Sequence, residues 1–228
     1  MALVTVVLGA DACRTGWVGV ALDPFHHAEV CVGPTIDGLV AWASALGPLG
    51  LVAVDMPIGL PDASRRRADV LAREELGPRR SSVFMTPVRA ALDADTHTRA
   101  STVNRERAGE GISTQAFNLR PKLQEVEKLA FARAYRIVEV HPEVSFARIA
   151  GRPLAASKKT AEGQRARRDL LATVGIGVDV SVVGAAVDDV LDAAVVAWSG
   201  RRVLSGQADS LPDPPEVFSD GWPSAIWV

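Results

Sequence analysis

Apolar positions along this chain fall first into short β-branched runs and then into helical spacing. Leu3 to Leu8 is a run rich in β-branched residues, which predicts a strand covered on both faces. Gly9 to Gly16 carries turn chemistry, and Trp17–Leu22 and His27–Val32 read as the next two strands, closed by Asp23-Pro24 and Gly33-Pro34. Thr35 or Asp37 can cap a helix running to Leu46. Leu51–Val54 is a further buried strand and ends on Asp55-Met-Pro57. Three hairpin-connected strands, a helix and then a strand predict a mixed sheet with helices packed on it.

From Pro61 to about Arg136 the strand pattern stops. Asp62 or Ser64 can cap a helix that ends at Leu76 before Gly77-Pro78, and a loop (79–87) and a polar stretch (98–111) follow. Leu119, Leu123, Val126, Leu129 and Ala130 recur at helical spacing, with Pro121 tolerable in the first turn. Arg136–Val140 is the fifth predicted strand, and helices are expected over 143–149, 161–174 and 183–204. The Pro/Asp/Ser-rich stretch beyond Ser205 reads as irregular, with Trp222 and Trp227 as points where it docks. The expected organisation is one α/β domain over 1–205, with a helical insertion over about 61–135 between the fourth and fifth strands and a tail over 206–228.

At 228 residues and 48% hydrophobic content the chain can bury a large core, which excludes bulk disorder and fibrous repeats. Its 25 basic and 27 acidic residues give a net charge of −2, so the total does not announce a nucleic-acid binder. Cys13 and Cys31 form no C-x-x-C pair, and the histidines (His26, His27, His97, His141) lack zinc-ligand spacing. A reducing, cytoplasmic setting is the default expectation. No apolar run is long enough to cross a bilayer, and the opening run lacks a basic start and meets Asp11 early, so it reads as a strand and not as a signal core.

The acidic residues sit where elements end. Asp11 follows the first strand, Asp55 ends the fourth, and Glu139 and the His141-Pro142-Glu143 turn close the fifth. In open α/β sheets the carboxyl ends of the strands are where ligands bind. Asp188, Asp189 and Asp192 occupy an arc of about 100° on the last helix, beside its core face, where they repel one another unless something compensates. Taken singly, Asp11 and Asp55 can serve turns, and Asp188-Asp189 can cap a helix. Taken together, Asp11, Asp55, Asp189 and Asp192 carry the charge that two dications balance. Oxygen-only ligands favour Mg2+ or Mn2+, and a metal pair can hydrolyse a phosphodiester. Glu139 is a further candidate ligand.

At these residues the chain resembles the ribonuclease-H-like superfamily, and in particular the domain of unknown function 429 family of predicted RNase H-like nucleases. The resemblance rests on Gly9–Trp17, Val54–Pro61, Ser82–Pro87, Glu139–Glu143, Ser157–Thr160 and Asp188–Ala193, and it spans about residues 5 to 200. It implies catalytic, metal-binding carboxylates at Asp11, at Asp55 and on the last helix. There the Asp-x-x-Asp-Ala spacing looks like RuvC-type resolvases and points to Asp189 and Asp192, with Asp188 a substitute.

Basic residues cluster in two segments. Residues 61–90 hold seven arginines against four acids, and residues 152–168 hold six basic groups against Glu162. Arg79, Arg80, Lys158 and Lys159, in loops, are the expected phosphate contacts, with Arg14, His141 and Glu143 as further substrate-binding candidates. His141 also reads as a turn histidine, and Glu143 as a helix cap. Aromatic residues are 5% and form no stacking platform, against a dedicated single-strand binder. The function expected is a Mg2+- or Mn2+-dependent nuclease acting on RNA or structured DNA, with homodimer formation left open. Two alternatives stand beside it: an actin-like ATP-dependent phosphotransferase, and a non-catalytic binding protein that keeps the fold.

Overall fold

The computed structural model describes residues 5–228. Seven strands of the described chain form one sheet in the order β3-β2-β1-β4-β5-β7-β6. They are β1 (Val6–Cys13), β2 (Gly16–Leu22), β3 (Ala28–Gly33), β4 (Leu49–Val54), β5 (Ile137–Glu139), β6 (Ser210–Val217) and β7 (Pro223–Trp227). The first three pair antiparallel, while β4 lies parallel to β1 and β5 parallel to β4. This is the mixed sheet expected from the sequence, with antiparallel strands first and parallel strands after, as in a ribonuclease-H-like fold. The predicted start of the first strand at Leu3 lies outside the described residues. Its end differs from expectation, because β1 runs on through Cys13 and Asp11 is a strand residue paired with Val18 of β2.

Helices cover both faces of the sheet. α1 (Ile36–Leu46), with Thr35 as its N-cap, sits on one face. It packs there with Val6, Leu8 and Ala10 of β1, Val52 and Val54 of β4, and Leu123, Val126 and Leu129 of the insertion's last helix. Period-two alternation sends Val7 of β1, Leu51 and Ala53 of β4, and Val138 of β5 to the opposite face. There they meet the long helix α9 (Val187–Leu204) and its neighbours α7 (Pro142–Ala150) and α8 (Ala161–Thr173). α9 starts four residues later than its apolar spacing predicts.

Glycine brings this helix close to the sheet. A Cβ on Gly9 would stand 2.2 Å from the backbone nitrogen of Ala197 and 2.3 Å from the carbonyl oxygen of Ala193. The helix therefore rides directly on the main chain of β1. Asp11, two positions along, projects from the same face of the strand.

Between β4 and β5 lie α2 (Arg67–Leu76), a 3-10 turn (Gly77–Ser82), α3 (Arg89–Leu92), α4 (His97–Ala108), α5 (Thr114–Asn118) and α6 (Arg120–Phe131). The polar stretch over 98–111 is helical as α4, with Thr96 accepting from Arg99 N at its start and left-handed Gly109 at its end. Neither Asp62 nor Ser64 caps α2, whose N-cap is Arg66.

The expectation of an irregular tail is overturned. β6 and β7 form an antiparallel hairpin that joins the sheet, with β7 parallel to β5 through Glu139 and Ile226. Prolines at 212, 214 and 215 disguised β6, but an edge strand tolerates residues that cannot donate to a ladder. The segment between the two strands also ties down the loop after β4. Asp220 accepts from Leu60 N at 3.0 Å and from Arg89 Nη2 at 2.7 Å, and Asp62 accepts from Ser219 N at 3.0 Å. Trp222 docks edge-on against Phe131.

Candidate functional site

The carboxyl ends of β1 and β4 meet at the site. Asp55 N donates to Ala10 O at 2.9 Å, so the main chains at Asp11 and Asp55 run side by side just where β4 ends. Asp192, one turn into α9, is fully buried. It shares an electrostatic neighbourhood with both: burial first, then Asp55 and Asp192, raise the Asp11 carboxyl well above the usual aspartate range. Burial pushes Asp55 and Asp192 up to about 7, against the opposing pull of Lys158.

Three elements remote in sequence thus deliver Asp11, Asp55 and Asp192 to one place. Asp189 acts more weakly on Asp11. It is half-buried, and its carboxylate accepts from Ala186 N at 3.2 Å at the start of α9. Asp188 makes a separate ion pair with Lys159 at 2.5 Å.

Glu143, expected at this edge as a substrate contact or a helix cap, lies within the carboxylate cluster itself. It does not cap α7, because the N-cap is His141 and makes no side-chain cap bond. It is buried, its charge raises both Asp55 and Asp192, and Arg167 Nη2 donates to its Oε1 at 2.6 Å. Alternation held the signal: Val138 and Val140 pack on the α9 side of the sheet, so the chain leaves β5 and enters α7 on that side.

The same alternation removes Glu139 from the expected metal set. Lying between Val138 and Val140, it faces the other side of the sheet. There Arg66 donates to both of its oxygens at 2.6 Å and Ile58 N donates to Oε2 at 2.8 Å. Arg66 also binds Asp69 through Nε at 3.0 Å and Nη2 at 2.5 Å, and all three side chains are buried. Burial raises the Glu139 carboxyl and Arg66 opposes that rise. This triad joins α2 to the end of β5 and commits both Glu139 oxygens to Arg66.

The acids open onto a cleft of about 500 Å³. Its walls include Asp11, Asp55, Asp189, Glu143, His141, Lys158, Lys159, Arg79, Ser81 and Gln115. The volume is ordinary for a small-ligand site. His141 Nε2 lies 3.4 Å from Ser82 O, and burial holds the ring below the usual histidine range.

The other basic candidates divide. Arg79 lines the cleft, but its neighbour Arg80 opens on a separate basin with Arg65 and Arg73, and Arg14 is exposed on the β1–β2 turn. Arg66 and Arg167, counted with the basic segments by sequence, are fully buried and cannot reach a phosphate. Arg167 holds Glu143 and donates through Nη1 to Ala156 O at 3.2 Å, fixing the root of the loop that carries Lys158.

Lys158 supplies the positive charge within the acids. It pairs with Asp192, and although burial lowers its pKa, Asp192, Asp11 and Asp55 more than reverse that and raise it. Among the described residues no three His, Cys, Asp or Glu side chains gather closely enough to hold a metal ion as they stand. The donor chemistry nevertheless suits a hard dication: every donor is a carboxylate oxygen, and the buried Asp192 Oδ1 has no hydrogen-bond partner.

Fold and site together define a class: an α/β protein with a mixed sheet and a buried carboxylate cluster at the carboxyl edge of its parallel strands. The chain belongs to the family described as protein of unknown function (DUF429), whose model matches residues 9–217. No curated protein and no solved structure matches it. Among the described residues no helix is long and apolar enough to cross a membrane.

Proposed function

We propose that this protein is a Mg2+- or Mn2+-dependent phosphodiesterase that cleaves RNA or structured DNA. The observation that carries this reading is the convergence of Asp11 and Asp55, which line one cleft, with Asp192 buried beside them, Asp55 and Asp192 being pushed up to about 7 by burial. Such a set is costly unless a cation compensates it. The chemistry a bound metal pair supplies is activation of a water and stabilisation of the leaving oxygen.

The chain's own residues have distinct tasks. Asp11, Asp55 and Asp192 would hold the ions, with Glu143 as a further ligand and Asp189 orienting water at the rim. Arg79 and Lys159, on the cleft wall, would hold the phosphates flanking the scissile bond. His141, on the cleft wall, would pack beside the nucleotide that carries the scissile bond. The exchange of Glu139 for Glu143 in the ligand set leaves this chemistry unchanged. A cytoplasmic setting is part of the proposal and agrees with two unpaired thiols, Cys13 and Cys31.

The test is Mn2+ binding by calorimetry alongside cleavage of RNA, single-stranded DNA and branched DNA, in wild type and in Asp11→Asn, Asp55→Asn and Asp192→Asn. Loss of metal binding together with at least a hundredfold loss of cleavage is expected for each. Unchanged cleavage in folded Asp11→Asn and Asp192→Asn overturns the assignment.

A further inference from the structure

The cation already among the carboxylates belongs to the protein itself. Lys158 pairs with Asp192, and Asp11 and Asp55 also act on its charge. The two partners are unequal: the Lys158 side chain is 34% exposed, whereas that of Asp192 is 0% exposed. The ammonium therefore reaches in from the cleft on a flexible stem, while the acid is built into the core. The loop behind it is firm, because Arg167 holds Ala156 O and Thr160 caps α8 by accepting from Gly163 N at 3.1 Å. Only the four-carbon stem of Lys158 is free to swing.

We propose that Lys158 is a displaceable counter-ion. In the metal-free protein its ammonium takes the place among Asp11, Asp55 and Asp192 that a divalent cation takes on loading, and the two exclude each other. This rests on the metal-dependent reading above. Two cations a few ångströms apart repel, and an ammonium seated on Asp192 competes for the carboxylate charge that would hold a dication. The ammonium leaves Asp192 Oδ1 without a partner, an acceptor that a dication can use. Once expelled, the amine stands in the cleft with Lys159 and Arg79, where it can meet a substrate phosphate as well as the rim carboxylate of Asp189. Metal loading and the arming of the phosphate-binding wall are then a single event. By linkage, a phosphate that keeps Lys158 outward tightens metal binding by the same factor that metal tightens phosphate binding.

Two measurements on the full chain, without nucleic acid, test this. Calorimetry with Mn2+ compares wild type with Lys158→Gln, which keeps a polar side chain and removes the charge. At least tenfold tighter binding by the variant is expected. Amine acylation mapped by mass spectrometry follows Lys158 in the wild-type protein with and without saturating Mn2+. A severalfold rise in labelling is expected at Lys158 and none at Lys122, which pairs with Glu125. The labelling needs no variant, so it decides alone if the substitution unfolds the protein. Equal or weaker Mn2+ binding by the variant, with Lys158 labelling unmoved by Mn2+, overturns the proposal and leaves the metal-dependent reading standing. Absence of Mn2+ binding in both proteins, with native circular dichroism, overturns that reading and the proposal with it.

Discussion

Asp11 and Glu139 were both expected to ligate metal, and the parity of their positions separates them. Asp11 shares the α9 face with Val7 and Gly9, whereas Glu139 sits between Val138 and Val140 and faces away from α9. Replacing Arg66 with methionine leaves Glu139 and Asp69 buried without their cation, and a loss of about 3–5 kcal/mol in chemical denaturation is expected. Gly9→Ala drives a methyl group into the backbone of α9, and a loss of about 3 kcal/mol or more is expected by the same measurement. The elements that carry Asp11, Asp55 and Asp192 were legible from their apolar runs, although Asp11 lies within β1 and not at its end, Asp55 just after β4, and Asp192 within α9. Glu143 was expected as a substrate contact, but its partner Arg167 was not singled out, because an arginine in a basic run reads as solvated until the fold shows it buried beside a carboxylate.

At the scale of elements, hydrophobic pattern was enough for β2, α1, β4 and α6. The patterns failed where tertiary contacts make the element. α4 is helical although polar on most faces, and its buried Asn104 explains its docking: Oδ1 accepts from Val88 N at 2.8 Å and Nδ2 donates to Glu110 O at 2.8 Å. The C-terminal hairpin was hidden by its prolines and acids, yet Asp220 and Ser219 use polar groups of that same segment to pin the loop after Asp55. Removing residues 210–228 strips Ser224 from Arg66 and uncovers β5. Such a chain is expected to lose its cooperative urea transition, which circular dichroism would register.

For the molecule as a whole, the buried acids tie stability to pH. Asp55 and Asp192 titrate at about 7 when folded, whereas an unfolded aspartate titrates near ~4. Between those values the folded chain holds more protons than the unfolded one, so their contribution is largest at the acid end and is lost as pH rises through about 7. Each excess proton amounts to about 1.4 kcal/mol per pH unit. The melting temperature in a chelator is therefore expected to fall between about pH 5 and pH 8, and Asp192→Asn is expected to flatten that slope. The contact of α9 with β1 at Gly9 bears on which ions such a centre would admit. With main chain against main chain, the span between the acid on the strand and the acid on the helix cannot widen by side-chain repacking alone. A rigid span discriminates by ionic radius, so the larger Ca2+ should compete poorly with Mn2+ for this protein even in excess.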